Sequence, residues 1–319
     1  MCQDANIVLR FVDAGHPDAI EKGANIVRVG FRSVLGLSLF LLLLAGCRPD
    51  EGASRVAAPA SNASPDRERI TQVSIANGLM LGRYDGLLPI SDLLRYGDFG
   101  LGTLDHLDGE MIILEGRVYR VQGTGEVDEV GPGRSTPFAI VTRFDPDGEI
   151  SCPIVDNLSD LDSRLDAALP YQNNFLAIRI DGRFASLTLR SVNRQTPPYR
   201  PLAEVAKGQS VWTRENQAGT LIGIRSPAWS DGLNVPGYHW HFLSDDRKTG
   251  GHVLDCRVVS GTVKYDVRRD WLVKLDGSAE FNALDITRNK ELSRDLRRVE
   301  SSRGDADREK GKGADPRPD

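Results

Sequence analysis

Three of the chain's five histidines fall in one short run, Pro236-Gly-Tyr-His239-Trp-His241-Phe-Leu-Ser-Asp-Asp-Arg-Lys-Thr-Gly-Gly-His252. Imidazole is a metal ligand or a proton carrier, and the spacing favours the first role. Residues i and i+2 of a strand point to one face, so His239 and His241 reach the same point while Trp240 turns into packing. Asp245 to Gly251 reads as a turn that brings His252 back on the neighbouring strand. Three imidazoles then meet at one ion. No cysteine or fourth histidine is available to close the shell, His106 being distant in sequence and no cysteine sitting in a CxxC, and three nitrogen ligands with an open position are how catalytic zinc is usually held. A closed structural site or ordinary polar strand residues are the plainer alternatives. Asp245, Asp246 and Asp255 are candidates to orient the rings from behind. A metal so held polarises a carbonyl or activates water, and spacing leaves open which, and so whether the chemistry is that of a lyase or of a hydrolase.

The elements that must position these residues read mostly as strands. Glu110 to Gln122 is two short strands joined near Glu115-Gly116. Phe138 to Phe144, Phe175 to Ile180, Ala185 to Val192, Leu221 to Arg225 and His239 to Leu243 follow, and His252 to Ser260 and Gly261 to Val267 read as a hairpin turning at Ser260-Gly261. Helices are expected at Ile90 to Tyr96, Asp160 to Leu169 and Leu202 to Ala206. The clearest runs from Asp285 to Glu300, where Leu292, Leu296 and Val299 form one stripe. The pattern is α+β and sheet-dominated, with helices on the faces of two sheets.

Composition excludes some partners. A net charge of -5 over 319 residues gives no basic footprint, so nucleic acid is not expected. Val34 to Gly46 (VLGLSLFLLLLAG) is too short to span a bilayer, which takes about 20 residues, and suits the apolar core of an export signal. Leu44-Ala45-Gly46-Cys47 resembles the bacterial lipobox, which implies acylation of Cys47 and a membrane-anchored, exported lipoprotein. The acidic stretch before it fits a signal poorly, and a start near Val27 or Val29 is expected. The reading divides the chain into 1–46 as extension and signal, 47–66 as flexible tether, 67–300 as catalytic domain and 301–319 as a charged tail without fixed structure. Cys152 and Cys256 either pair or remain buried thiols.

Several ordered blocks carry a resemblance. Tyr96-Gly-Asp-Phe-Gly-Leu-Gly-Thr103 through Glu110, Thr136-Pro-Phe-Ala139, Phe175 to Phe184, Leu189-Arg190-Ser-Val192, Gly223-Ile-Arg-Ser-Pro227 and the histidine block resemble the signatures of α-acetolactate decarboxylase, from about Val73 to Glu300. Asn193 stands where that family usually has proline. The resemblance implies a two-subdomain fold with the metal site on adjacent antiparallel strands, and decarboxylation of (S)-2-acetolactate to (R)-acetoin with zinc as electron sink. It implies His239, His241 and His252 as zinc ligands, Glu110 and Arg190 as active-site residues and Thr103 lining the pocket. It also implies a C-terminal glutamate, matched by Glu300 with Glu291 as the alternative. A homodimer is expected from the same likeness. Beside it stand two other readings: a zinc enzyme acting on another small substrate, and a cupin-like metal-binding lipoprotein without turnover.

Overall fold

The computed structural model describes residues 67–286 and 289–300. The expected signal, lipid-bearing Cys47 and tether, and the charged tail, lie outside the described residues. In chain order the first strands are β1 (Arg69–Val73), β2 (Leu88–Pro89), β3 (Phe99–Thr103), β4 (Glu110–Leu114), β5 (Arg117–Val121), β6 (Val127–Glu129), β7 (Ser135–Thr136) and β8 (Phe138–Thr142). Then come β9 (Gly148–Ser151), β10 (Phe175–Ser191), β11 (Ser210–Ser226), β12 (Gly237–Ser244), β13 (Gly250–Arg268) and β14 (Asp270–Lys274). The α-helices are α1 (Ala76–Met80), α2 (Ile90–Leu93), α3 (Leu158–Ala168), α4 (Leu202–Val205), α5 (Ala279–Asn282) and α6 (Asn289–Glu300).

Seven strands form one sheet in the order β14-β1-β8-β3-β4-β5-β6, antiparallel except where β1 meets β14. Five form the second, β10-β11-β12-β13-β9, and a further β10–β13 pairing closes four of its strands into a ring. Strand parity decides which residues face which layer. On β4, Met111 and Ile113 join Ile90 and Leu93 of α2 in an outer core. Ile112 and Leu114 face inward, with Ile222, Ile224 and Leu243 of the second sheet. Beyond the second sheet, Leu161 and Leu165 of α3 cover Ile178, Leu189, Trp240 and Phe242. Even-numbered residues of β4 and odd-numbered residues of β12 therefore look into the same inter-sheet space. Glu110 and the HxH pair belong to those sets.

Two expectations about the strands are corrected. The segments 175–180 and 185–192 are one 17-residue strand, with a bulge near Phe184 where two were expected. Ser260-Gly261 is no hairpin turn, because β13 runs unbroken over 19 residues. Gly261 pairs with Gly182 across β10, and a Cβ at Gly182 would lie 2.5 Å from the Ser260 carbonyl oxygen. These glycines allow two long strands to press together there; they do not turn the chain. Cys152 and Cys256 are both buried free thiols.

Candidate metal centre and active site

His239 and His241 sit on β12 and His252 on β13, directly opposite His241. The three rings are buried, with centroids 5.0 to 5.5 Å apart. One ligand atom from each lies within 4.8 Å of the others. The returning strand thus assembles the triplet as its spacing predicted. Trp240 turns to the opposite face of β12, into the core under α3.

Four other predicted residues converge on the same point from four elements. Arg190 is on β10, in register with His252. Glu110 begins β4, opposite Thr103 at the end of β3. Glu300 ends α6, whose stripe of Leu296 and Val299 packs among Ala76, Met80, Leu202 and Val205, with Leu292 at its edge. Glu110 Oε2 stands 3.4 Å from His241 Nε2, and Glu300 Oε2 stands 3.5 Å from both His239 Nε2 and His252 Nδ1. Glu300 is thus the glutamate of α6 that lies against the histidines, whereas Glu291, the alternative, lies in the first turn of the same helix.

The group fits a metal cation on two observations. First, the buried His241 Nε2, His252 Nδ1 and Glu300 Oε2 have no hydrogen-bond partner, which is costly unless something else satisfies them. Second, the 3.4 to 3.5 Å gaps are long for hydrogen bonds. They match the separation of about 3.4 Å between tetrahedral neighbours on bonds of about 2.1 Å to a first-row divalent cation. Protonation supports the fit. Burial, with Arg190 adding to it, pushes His239 down to about 3 and holds His241 and His252 well below the usual imidazole range, so all three present lone pairs at neutral pH. His241 Nδ1 donates to the Met111 carbonyl at 2.9 Å, which aims Nε2 inward. His252 Nε2 donates to the Glu300 carbonyl at 3.2 Å, which aims Nδ1 inward.

Backbone carbonyls therefore orient the rings of His241 and His252, a place for which Asp245, Asp246 and Asp255 were candidates. Asp246 accepts from Ser244 and the Lys248 amide in its own turn, and Asp255 accepts from the Leu158 amide at the start of α3. His106 stands apart, with Asp85, Asp105 and Tyr199.

The charges are arranged for chemistry. Arg190 is 3% exposed. Its Nη1 is 3.4 Å from Glu110 and its Nη2 3.5 Å from Glu300, while Nε has no partner. A buried guanidinium with such loose contacts has donors left for an anionic ligand. Burial pushes the Glu110 carboxyl up to about 7, with Arg190 opposing and Glu300 adding to the rise, and burial also raises Glu300. Thr103 lines the pocket, but its hydroxyl donates to the Gly109 carbonyl at 2.8 Å, fastening the turn that leads into Glu110. Only its lone pairs remain for a ligand. A cavity of about 40 Å³ touches Thr103, Glu110, Arg190, His239 and Glu300, with room for roughly three waters. Its walls are apolar, among them Leu79, Leu107, Phe138, Val192 and Leu296.

The family model for alpha-acetolactate decarboxylase matches residues 70–288. That span holds Thr103, Glu110, Arg190 and the three histidines, and ends before Leu296 and Glu300. An alpha-acetolactate decarboxylase of Methanosarcina mazei is 44% identical over 229 residues, 72% of this chain and 79% of that protein. One of Klebsiella aerogenes is 39% identical over 212 residues, 66% of this chain and 82% of that protein. The crystal structure of alpha-acetolactate decarboxylase from Bacillus subtilis strain 168 superposes with a TM-score of 0.71 at 35% identity, covering 73% of this chain and 100% of that one. Fold and sequence agree over most of the described body, and the chain belongs to the alpha-acetolactate decarboxylase family of enzymes.

Proposed function

We propose that the protein decarboxylates (S)-2-acetolactate to (R)-acetoin and carbon dioxide, using zinc held by His239, His241 and His252 with Glu110 and Glu300 beside them. The observation that carries this reading is the convergence of three neutral imidazoles, two carboxyls and an under-satisfied buried arginine on one small cavity. All-nitrogen and carboxylate donors in a buried shell suit zinc. Bound there, zinc supplies Lewis acidity toward the oxygens of the substrate, stabilising negative charge as it develops.

The residues of the chain do the rest. Breaking the carboxyl C–C bond releases carbon dioxide and leaves the electron pair as an enediolate; a proton must then be added to carbon. Arg190 offers a permanent charge and a fork of donors, so it binds the substrate carboxylate and steadies the charge that follows. Its charge makes it a poor acid. Glu110, whose carboxyl lies at the cavity beside His241 and Arg190, is placed to deliver that proton. The apolar walls hold the two methyl-bearing ends of acetolactate and exclude water. Thr103 fixes the approach of Glu110 through its bond to Gly109.

The test is release of acetoin and carbon dioxide from acetolactate by the purified protein, with and without chelator. Glu110→Gln and Arg190→Met are expected to lose turnover while zinc remains bound. Retained turnover in both would remove these roles. The run from Val34 to Cys47 supports export and lipidation of the same chain, and labelling with a lipid precursor tests it: unmodified Cys47 contradicts it.

A further inference from the structure

The strand that carries two of the three histidines is gripped from behind. His239 and His241 face the inter-sheet space, and Tyr238 and Trp240 face α3. Trp240 is 1% exposed and lies across Gly223, its register partner on β11. A Cβ at Gly223 would meet the indole ring at 2.1, 2.3 and 2.7 Å, so glycine there is what lets the ring lie flat. Tyr238 stacks on the same ring at 5.5 Å with planes 3° apart. The indole Nε1 donates to Asp162 Oδ1 of α3 at 2.9 Å. One turn on, Asp166 accepts from the Tyr238 hydroxyl at 3.0 Å and pairs with Arg225 Nε at 3.0 Å. α3 is itself fixed by Leu161 and Leu165, both 0% exposed.

An apolar side chain at position 162 would be the simpler way to cover Trp240, since a half-buried carboxylate is costly to desolvate. The carboxylate instead makes one directional bond, to the residue between two ligands. Movement of Trp240 along or about β12 would turn both imidazoles, whose ring nitrogens have to meet one point. We infer that Asp162, acting through the indole N–H of Trp240, is a positioning residue that fixes His239 and His241 for metal binding. This rests on the metal reading of the three histidines and extends it to a bond on the far side of the strand.

The experiment uses the full chain, stripped of metal and titrated with Co²⁺, reading affinity by competition with a chromophoric chelator and ligand geometry from the visible cobalt bands. The wild-type protein should bind one Co²⁺; if it binds none, the metal reading itself fails. Given that binding, Asp162→Leu should weaken Co²⁺ about tenfold or more and shift the visible bands. Asp162→Asn, whose amide oxygen can accept the same bond, should stay close to wild type. Trp240→Phe, which keeps the ring and removes the donor, should behave like Asp162→Leu, and it reads the same bond if Asp162→Leu fails to fold. Merely structural roles would lower the melting temperature and leave the affinity and spectrum of the folded protein unchanged. If both variants bind Co²⁺ with wild-type affinity and spectrum, the positioning role is overturned.

Discussion

Leu296→Ala, at one wall of the cavity, should inactivate the enzyme chiefly by releasing α6, whose apolar stripe of Leu292, Leu296 and Val299 packs on the body. Leu296 is 2% exposed and Val299 7%, and both pack with α1 and α4, while Leu292 lies at the edge of that core. The opposite face is charged, and Arg297 there pairs with Asp231 at 3.4 Å between exposed side chains, a contact worth at most about 1 kcal/mol. Truncating a buried leucine to alanine costs about 2 to 5 kcal/mol. If that cost falls on docking of the helix, the docked state loses a factor of roughly 30 to 5,000 against the undocked one. Undocking carries Glu300 away from His239, His252 and Arg190. Limited trypsin digestion should report it, as Arg294, Arg297 and Arg298 lie on α6; acetolactate turnover should fall in step. Glu300→Gln separates the two effects: trypsin resistance stays at the wild-type level and turnover is lost. An undocked Leu296→Ala protein that turns over at the wild-type rate would refute the reasoning, as would a fully active Glu300→Gln.

Arg190→Met should lower kcat/KM by about 10²- to 10³-fold, and Arg190→Lys should recover only part of it, since an ammonium cannot span Glu110 and Glu300 as the fork does; a Met variant within threefold of wild type would contradict this. Burial pushes the Asp162 carboxyl up to about 7, against the opposing Trp240 bond. Its folded value lies above its unfolded one, so the group costs stability as pH rises from about 4 to about 7, by at most about 1.4 kcal/mol per pH unit. Asp162→Asn should therefore gain in melting temperature over wild type more at pH 8 than at pH 4.5; a gap independent of pH would count against it. Burial pushes the Cys152 thiol up to about 11 and raises that of Cys256 as well. Both should resist alkylation in the native protein and react on denaturation, as peptide mapping would show, whereas a recovered Cys152–Cys256 disulfide would contradict the structure.

What was legible in the sequence follows from the range of the interactions. The HxH pair and the return of His252 rest on strand parity and a short turn, both local, and the structure keeps them. Glu110 and Arg190 carry no local signal; their place was visible only through resemblance to a family, because Arg190 meets His252 across a pairing 62 residues long in sequence. The amphipathic stripe on α6 was readable from Leu292, Leu296 and Val299, yet nothing local shows that its last residue enters the site. Glycine misled at Ser260-Gly261, since a turn and a close strand contact both favour it, and only the partner strand distinguishes them. The aspartates following the HxH pair drew attention by proximity, but a turn and a helix start took them. The carboxylates that grip β12 come from α3, where Asp162 and Asp166 share a helix face by their i, i+4 spacing and meet Trp240 and Tyr238 at i, i+2 on the strand. That complementary pair of spacings was the available sign.

A metal on His239, His241 and His252 is proposed to make this chain a decarboxylase of acetolactate. Elemental analysis of the purified protein, paired with acetoin release before chelation, after it and after zinc is returned, tests it most directly. One zinc per chain, loss of turnover on its removal and recovery on its return are expected. Full turnover of acetolactate by protein shown to be free of metal would contradict it.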